Sequence, residues 1–396
     1  MTGLLTFEQA LDAVLSRARR LPSEQVPIDS ASGRVLAQPA CAAVDLPRFP
    51  SSAMDGYAIQ AVATPGQMPV VGRIAAGKPA RVALGAGEAM AIATGGVVPE
   101  GSDAVVPIED AVERDGVVEI ADPVTRGANV RPVGGDIRAG AEIVPAGVRL
   151  RPAQAGALAA AGVRDVVCAR VPCVAVVTTG TELKPPGAEL GPGEIYESNG
   201  LMLTAQIRAA GADVDGPIAV TDDEDAHREV LRSGLELDAV VTSGGVSVGP
   251  HDLVRRTAAE LGVQEVFWGV AVRPGKPVAF GVRERTLVFG LPGNPVSSLV
   301  ACELFVRPAL LALQGASEPG PTFMAGFIDA AVRRDPARDT FARARSSVGD
   351  TGVVLSVLSG QESHMIARAA TADALVLIPR GAGEIATGSL VRYLPL

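Results

Sequence analysis

Lysine is nearly missing from this 396-residue chain: Lys78, Lys184 and Lys276 are the whole set, and arginine supplies nearly all other positive charge. Aromatic residues are only 3% of the chain, too few for the stacking platforms that hold single-stranded nucleic acid. Basic residues number 35 against 44 acidic ones, a formal net charge of −9. That balance argues against a sequence-independent grip on nucleic-acid phosphates, while still permitting a local basic pocket for a small anion. The four cysteines, Cys41, Cys168, Cys173 and Cys302, form no CxxC pair and have no histidine nearby. A zinc site or disulfide scaffold is thereby excluded, and reduced thiols in a cytosol fit better. His227, His251 and His364 have no spacing for a metal cluster or a catalytic triad, and His227 is expected on a solvated helix face. No uninterrupted apolar run reaches membrane-spanning length. The start, from Thr6 to Leu15, reads as a capped amphipathic helix in which Glu8 and Asp12 interrupt any export-type core. The expectation is a soluble cytoplasmic protein, with neither nucleic acid nor membrane as partner.

What is present is ample apolar content, 47%, punctuated by 45 glycines and 30 prolines. Such a chain can offset its conformational entropy by burial, and at roughly 150 residues per domain it suggests two to four domains. The pattern implies a multidomain α/β plus β architecture. Residues 1–45 and 139–170 read as one discontinuous helical and extended domain, its N-terminal helix packing with an Ala/Leu helix that starts at Pro152 and stops before Gly162. Residues 46–138 read as a β-rich insertion, in which Asp115-Gly116 should turn a hairpin between Ala104–Ile108 and Val117–Ile120. Residues 171–315 alternate buried strands with helices, the signature of a three-layer domain with a mostly parallel sheet. Residues 316–396 return to β periodicity and predict a small barrel or sandwich.

The α/β segment carries three glycine-rich loops, each directly after a buried strand: Thr178-Thr179-Gly180-Thr181-Glu182, Thr242-Ser243-Gly244-Gly245 and Leu291-Pro292-Gly293-Asn294-Pro295. Ligands of open parallel sheets bind beyond the carboxyl ends of the strands. Glycine there lets backbone N–H groups approach phosphate, and the next helix N-terminus adds partial positive charge. None of the loops is a GxxxxGK[ST] or GxGxxG sequence, so a P-loop or dinucleotide site is not indicated. Lys276, between prolines in Arg273-Pro274-Gly275-Lys276-Pro277, is expected in a stiff extended loop that aims its ammonium. Glu182, Asp222, Asp223 and Asp252 lie beside these loops; as hard oxygen donors they suit Mg²⁺ bridging to phosphate, although Asp222-Asp223 and Asp252 read equally as helix caps. Taken alone, Asp55-Gly56, Thr94-Gly95 and Gly134-Gly135-Asp136 read as turns.

Taken in order, Ser52-Ala-Met-Asp-Gly-Tyr-Ala58, Thr94-Gly with Pro99 to Val106, Gly134-Gly-Asp-Ile137, Ser243 to Gly249 with Asp252, Pro274-Gly-Lys-Pro277 and Leu291-Pro-Gly-Asn-Pro-Val-Ser297 resemble the molybdopterin molybdenumtransferases, the family of bacterial MoeA and the gephyrin E domain. The resemblance runs over nearly the whole chain. It implies Mg²⁺-dependent insertion of molybdate into adenylylated molybdopterin with release of AMP. It further implies a homodimer whose active sites are shared between subunits, with the adenylyltransferase and apo-molybdoenzymes as further partners. By the same resemblance, catalytic roles fall on Asp55, Glu182, Asp222, Asp252 and Lys276, with Glu182 and Asp252 as metal ligands. Substrate contacts fall on Thr94, Arg131, Asp136, Ser243, Gly244, Gly245, Arg273, Asn294, Arg343 and Ser363.

Three positions depart from the family pattern. Thr181 replaces a frequent aspartate, Gly269 a frequent lysine, and Arg273 a frequent lysine, the last a mild change for anion binding although the two cations are not equivalent. Two other functions compete. The preceding step, ATP-dependent adenylylation of molybdopterin, would release pyrophosphate. A gephyrin-like scaffold would capture partners even with its catalytic residues removed.

Overall fold

A computed structural model of the chain describes residues 4–221, 223–245, 253–350 and 352–396. Helix α1 (Phe7–Leu15) begins with the expected reciprocal cap: the Thr6 hydroxyl accepts from the Gln9 amide at 3.2 Å, and the Gln9 side-chain oxygen accepts from the Thr6 amide at 3.0 Å. Its apolar face does not meet α2 (Pro152–Ala160), contrary to the sequence reading. Phe7 instead packs its ring 6.0, 6.3 and 5.3 Å from those of Phe305, Phe323 and Phe341. α2 is built mostly of alanine and buries only Leu158 among its residues, too small a face to cover a phenylalanine. Phe7→Ala should therefore destabilise the protein by about 3–5 kcal/mol, read as a lowered urea midpoint. An unchanged midpoint would mean that α1 contributes nothing to the core.

The segments on either side of the β-rich stretch fold together. Ser23–Pro27 pairs antiparallel with Asp165–Ala169, and Ala40–Cys41 with Glu142–Val144, around Leu36, Leu150, Leu158 and Cys168. Between them runs a six-stranded sheet in the order Ala104–Pro107, Gly56–Ile59, Ala89–Ile92, Gly66–Ile74, Val117–Ile120, Val112–Arg114. Asp115 and Gly116 do turn a two-residue hairpin, both at positive φ (51° and 75°), but its first strand is Val112–Arg114. Ala104–Pro107 pairs with Gly56–Ile59 instead. The 3₁₀ turn Ile108–Asp110 separates the two segments that the apolar pattern had merged.

The α/β unit holds a six-stranded sheet: Asp213–Val220, Cys173–Thr179, Ala239–Ser243 and Thr286–Leu291 lie side by side and parallel, followed by antiparallel Ala279–Arg283 and Gln264–Trp268. Side-chain alternation feeds two separate cores. Val174, Val176 and Val241 face Leu203 and Ile207 of α3 (Asn199–Ala209), whereas Ala175 and Val240 face Leu231 of α4 (Glu224–Gly234). His227 is fully buried rather than solvated, because it shares the 227, 231, 234 stripe of α4 that faces the sheet. Two further helices, α5 (Leu253–Glu260) and α6 (Pro295–Ala301), follow. α6 continues through a π-helical turn, Cys302–Val306, into Arg307–Leu313. The wide turn accommodates Pro308, which has no amide to close an ordinary one. Pro295–Leu313 is long and apolar enough to span a membrane, with a mean hydropathy of 1.7, but 78% of it is buried inside the protein, so its apolar length serves the core.

The C-terminal segment closes into a five-stranded barrel: Asp339–Gly349, Gly352–Val357, Met324–Ile328, Leu390–Pro395 and Ala374–Ile378, the last pairing back to the first. Val272–Arg273 of the α/β unit adds to it in parallel at Asp339–Thr340. That junction seats the Arg273–Pro277 loop against the barrel.

Candidate functional site

The three glycine-rich loops leave the carboxyl ends of three adjacent parallel strands, and their backbones touch. A side chain at Gly244 (φ 93°) would place its Cβ 2.6 Å from the Thr179 carbonyl oxygen, and the Gly244 amide donates to the Leu291 carbonyl at 3.1 Å. Gly293 would meet Gly244 Cα at 3.6 Å. At Gly244 glycine is thus dictated by the closeness of the loops as well as by φ. A polar knot fixes them from below. The Ser243 hydroxyl is 3.1 Å from the Pro292 carbonyl and 3.1 Å from Ser298 Oγ, and the Asn199 amide donates to Ser243 Oγ at 2.9 Å and to the Gly293 carbonyl at 2.7 Å. The Thr178 and Thr179 hydroxyls are buried and have no partner among the described residues. The Glu182 carboxylate folds back over Gly180, 2.6 Å from where a Cβ would stand.

Beside these loops a cleft of about 440 Å³ opens between the α/β unit and the barrel. Arg273, Lys276 and Asn294 form one wall, and Arg338, Ser363 and His364 the other. The Lys276 loop is a closed turn rather than an extended one: the Val270 and Val278 amides both donate to the Lys276 carbonyl at 3.0 Å, and Gly275 sits at φ 100°. The Lys276 side chain is exposed and makes no ion pair among the described residues, whereas Lys184 is paired with Glu194 at 3.1 Å. Asn294 occupies the N-cap position of α6 without a side-chain cap bond, and the Val296 amide is taken by the Ser363 carbonyl at 3.0 Å. Gly269 lies at φ 88° with Leu4 2.6 Å from any added Cβ, which excludes an unstrained lysine there.

Arg343 does not reach the cleft. It is 1% exposed, and its guanidinium donates to the carbonyls of Met365 (3.1 Å), Gly360 (2.8 Å) and Glu362 (3.3 Å). Burial lowers its pKa. It therefore shapes the loop that presents Ser363 and His364, because its strand position shares the outer barrel face with Phe341 and Leu375, opposite the barrel-interior residues Ala342 and Ala344.

A second cluster forms in the β-rich stretch. The Thr94 amide and hydroxyl both donate to Asp55 Oδ1, at 2.6 and 2.9 Å, and the backbone bond, then the hydroxyl bond, hold this carboxyl below the usual carboxylate range. Ser51-Ser52 pairs with Val130–Arg131 and is bonded to the Gly95-Gly96 turn, bringing Arg131 to the same edge. Asp136 lies farther down, its amide donating to the Leu46 carbonyl at 2.9 Å. No hydrogen bond or ion pair between described residues joins 46–138 to 171–396. Asp222 and Asp252 lie outside the described residues. Asp223 is a helix cap, accepting from the Ala226 amide at 2.8 Å. Among the described residues no three His, Cys, Asp or Glu side chains gather as a metal site. Asn199, Ser298, Arg338 and His364 were not read from the sequence. Only Asn199 had a local signal, the polar Glu197-Ser198-Asn199 run just ahead of a helix.

Residues 5–162 match the family model described as the MoeA N-terminal region (domain I and II), 175–312 a probable molybdopterin binding domain, and 328–396 the MoeA C-terminal region (domain IV). The chain is 35% identical over 379 residues to molybdopterin molybdenumtransferase 2 of Mycobacterium tuberculosis, covering 92% of this chain and 93% of the relative. It is 29% identical over 402 residues to the molybdopterin molybdenumtransferase of Haemophilus influenzae, covering 99% and 98%. Two structures of the molybdopterin biosynthesis MoeA protein of Pyrococcus horikoshii superpose with TM-scores of 0.80 and 0.85, at 32% and 26% identity, the first covering 99% and the second 100% of both chains.

Proposed function

This chain belongs to the molybdopterin molybdenumtransferase (MoeA) family, and we propose that it acts in molybdenum cofactor biosynthesis, inserting molybdate into adenylylated molybdopterin with release of AMP. The observation that carries this reading is the convergence of three glycine loops at adjacent strand ends beside a cleft bearing Arg273 and Lys276. Such a site suits a large phosphorylated ligand. Loop amides and the polar knot of Ser243, Asn199 and Ser298 set the backbone against the ligand, and Arg273 and Lys276 neutralise its charge. The donors at the strand ends are hard oxygens: Glu182 and the Thr178 and Thr179 hydroxyls, which have no partner among the described residues. That set fits Mg²⁺. Glu182 would hold it, with Asp252 as the second carboxylate of the family pattern. Bound there, the ion would offset the repulsion between carboxylates and substrate phosphate.

That no hydrogen bond or ion pair among the described residues ties Asp55 and Thr94 to the cleft within one chain supports a homodimer in which each site takes residues from both subunits. We assign the reaction to the cytoplasm, with the adenylyltransferase upstream and apo-molybdoenzymes downstream. Restoring molybdoenzyme activity to a strain lacking the transferase tests the assignment. Pyrophosphate release from ATP and molybdopterin would instead indicate the adenylylation step, and loss of complementation without loss of partner capture would indicate a scaffold. Because Gly269 brings no charge, Lys276→Ala should weaken binding of adenylylated molybdopterin about tenfold, on the order of 1.4 kcal/mol. A titration giving wild-type affinity for that variant would remove Lys276 from the site.

A further inference from the structure

Arg273 and Lys276 are carried by one loop, and the N-terminal segment holds its base. Within the loop the Gly269 amide donates to the Val278 carbonyl at 2.8 Å, while the Lys276 carbonyl takes the Val270 and Val278 amides. The turn is closed through its backbone, and the Lys276 side chain is left exposed. Ala271 ties the base to two distant segments: its amide donates to the Leu5 carbonyl at 2.8 Å, and its carbonyl accepts from the Asp339 amide at 2.9 Å. Leu5 is also bridged in parallel to Val270, and Val272–Arg273 pairs with Asp339–Thr340 of the barrel. The N-terminal segment is itself anchored, because Thr6 caps α1 and Phe7 is wedged among three phenylalanines. Leu4 reaches over Gly269: a Cβ added at that glycine would stand 2.6 Å from Leu4 Cδ2 and 3.8 Å from the Lys276 carbonyl oxygen. Gly269, at φ 88°, thus leaves a slot at the foot of the Lys276 turn that the leucine fills. Leu4 is 39% exposed, so its packing there contributes little to the core.

We propose that Leu4 is a positioning residue: by filling the slot over Gly269 it sets the Lys276 loop, and with it the placing of Arg273 and Lys276 against the substrate. It acts through the loop and forms no bond to the substrate. The assignment rests on the function proposed above. A side chain at position 269 and the leucine at position 4 compete for one space, so the lysine frequent at 269 in the family pattern and Leu4 are alternatives.

Wild type, Leu4→Ala, Leu4→Met, Gly269→Ala and the Leu4→Ala, Gly269→Ala double variant are compared as full-length protein by two readouts. The first is steady-state AMP release from adenylylated molybdopterin and molybdate. Leu4→Ala should raise KM about fivefold with kcat within about twofold of wild type, since the binding loop is displaced and the remaining machinery is not. Leu4→Met, which refills the slot, should bring KM back close to wild type. Gly269→Ala should raise KM further by expelling Leu4, and adding Leu4→Ala to it should cost nothing more, because both act on one contact. The second readout needs no substrate: the three lysines are acetylated with limiting acetic anhydride and followed by peptide mass spectrometry. Leu4→Ala should change the rate at Lys276 by at least about twofold, with Lys78 and Lys184 as internal references. An unchanged urea midpoint separates this from a general loosening of the fold. Either a wild-type KM or wild-type Lys276 labelling in Leu4→Ala would overturn the proposal, as would additive effects in the double variant. Wild-type protein that releases no AMP would sink the underlying reading, and the labelling would then decide whether Leu4 sets the loop.

Discussion

Glu182→Gln is expected to slow AMP release by about two orders of magnitude, on the order of 2.7 kcal/mol of transition-state stabilisation, while leaving the fold intact. The substitution is isosteric, and what anchors the segment is backbone: the Ile195 amide donates to the Glu182 carbonyl at 2.9 Å. Only the negative charge beside the strand-end loops is lost. If that charge serves to hold Mg²⁺ against the adenylyl phosphate, removing Mg²⁺ with a chelator should reproduce the defect in wild type, and excess Mg²⁺ should partly relieve it in the variant. AMP release at the wild-type rate, with an unchanged circular dichroism spectrum, would remove Glu182 from the metal site.

The second large effect concerns the assembly. Asp55→Asn and Glu182→Gln should each be inactive alone and should recover activity when mixed and allowed to exchange subunits. If Asp55 of one chain and Glu182 of the other serve one cleft, a hybrid dimer gathers both lesions in one site and leaves the other intact. Random pairing makes half the dimers hybrids with one working site in two, so roughly a quarter of wild-type activity should return. If both residues served a cleft within one chain, every hybrid site would carry one lesion and nothing would return. Near-zero recovery, with exchange verified by pull-down of differently tagged subunits, would rule out the shared site. The structural motive is that, among the described residues, no hydrogen bond or ion pair ties the Asp55–Thr94 cluster to the loops around Glu182.

Much of this site could be read residue by residue because its chemistry is local. Glycine at Gly244 is imposed by a backbone in contact and by φ, and the loops follow buried strands whose apolar runs are unmistakable, Val174 to Val177 and Ala239 to Val241. The ordered motifs around Asp55, Thr94, Lys276 and Asn294 are likewise contiguous strings. Where the reading failed, the deciding contact was distant in the chain. His227 looked solvated because its neighbours in sequence are polar, yet its stripe on α4 faces the sheet. α1 looked like a partner for α2, yet the phenylalanines that cover Phe7 lie at Phe305, Phe323 and Phe341.

The sequence by itself determined the strand-and-loop grammar, the family pattern, the shortage of lysine and hence the reliance on arginine, because periodicity, turn chemistry and charge count are properties of neighbouring residues. Only the tertiary structure decided that Arg343 turns inward to hold the Gly360–Met365 carbonyls while Arg338 lines the cleft. The two arginines sit five positions apart; the family resemblance gave Arg343 a substrate contact and left Arg338 unread. What separates them is which way each faces once the barrel closes: Arg343 sits among buried strand residues and must satisfy its donors with backbone carbonyls, while Arg338 precedes the strand and pairs at the rim with Asp335.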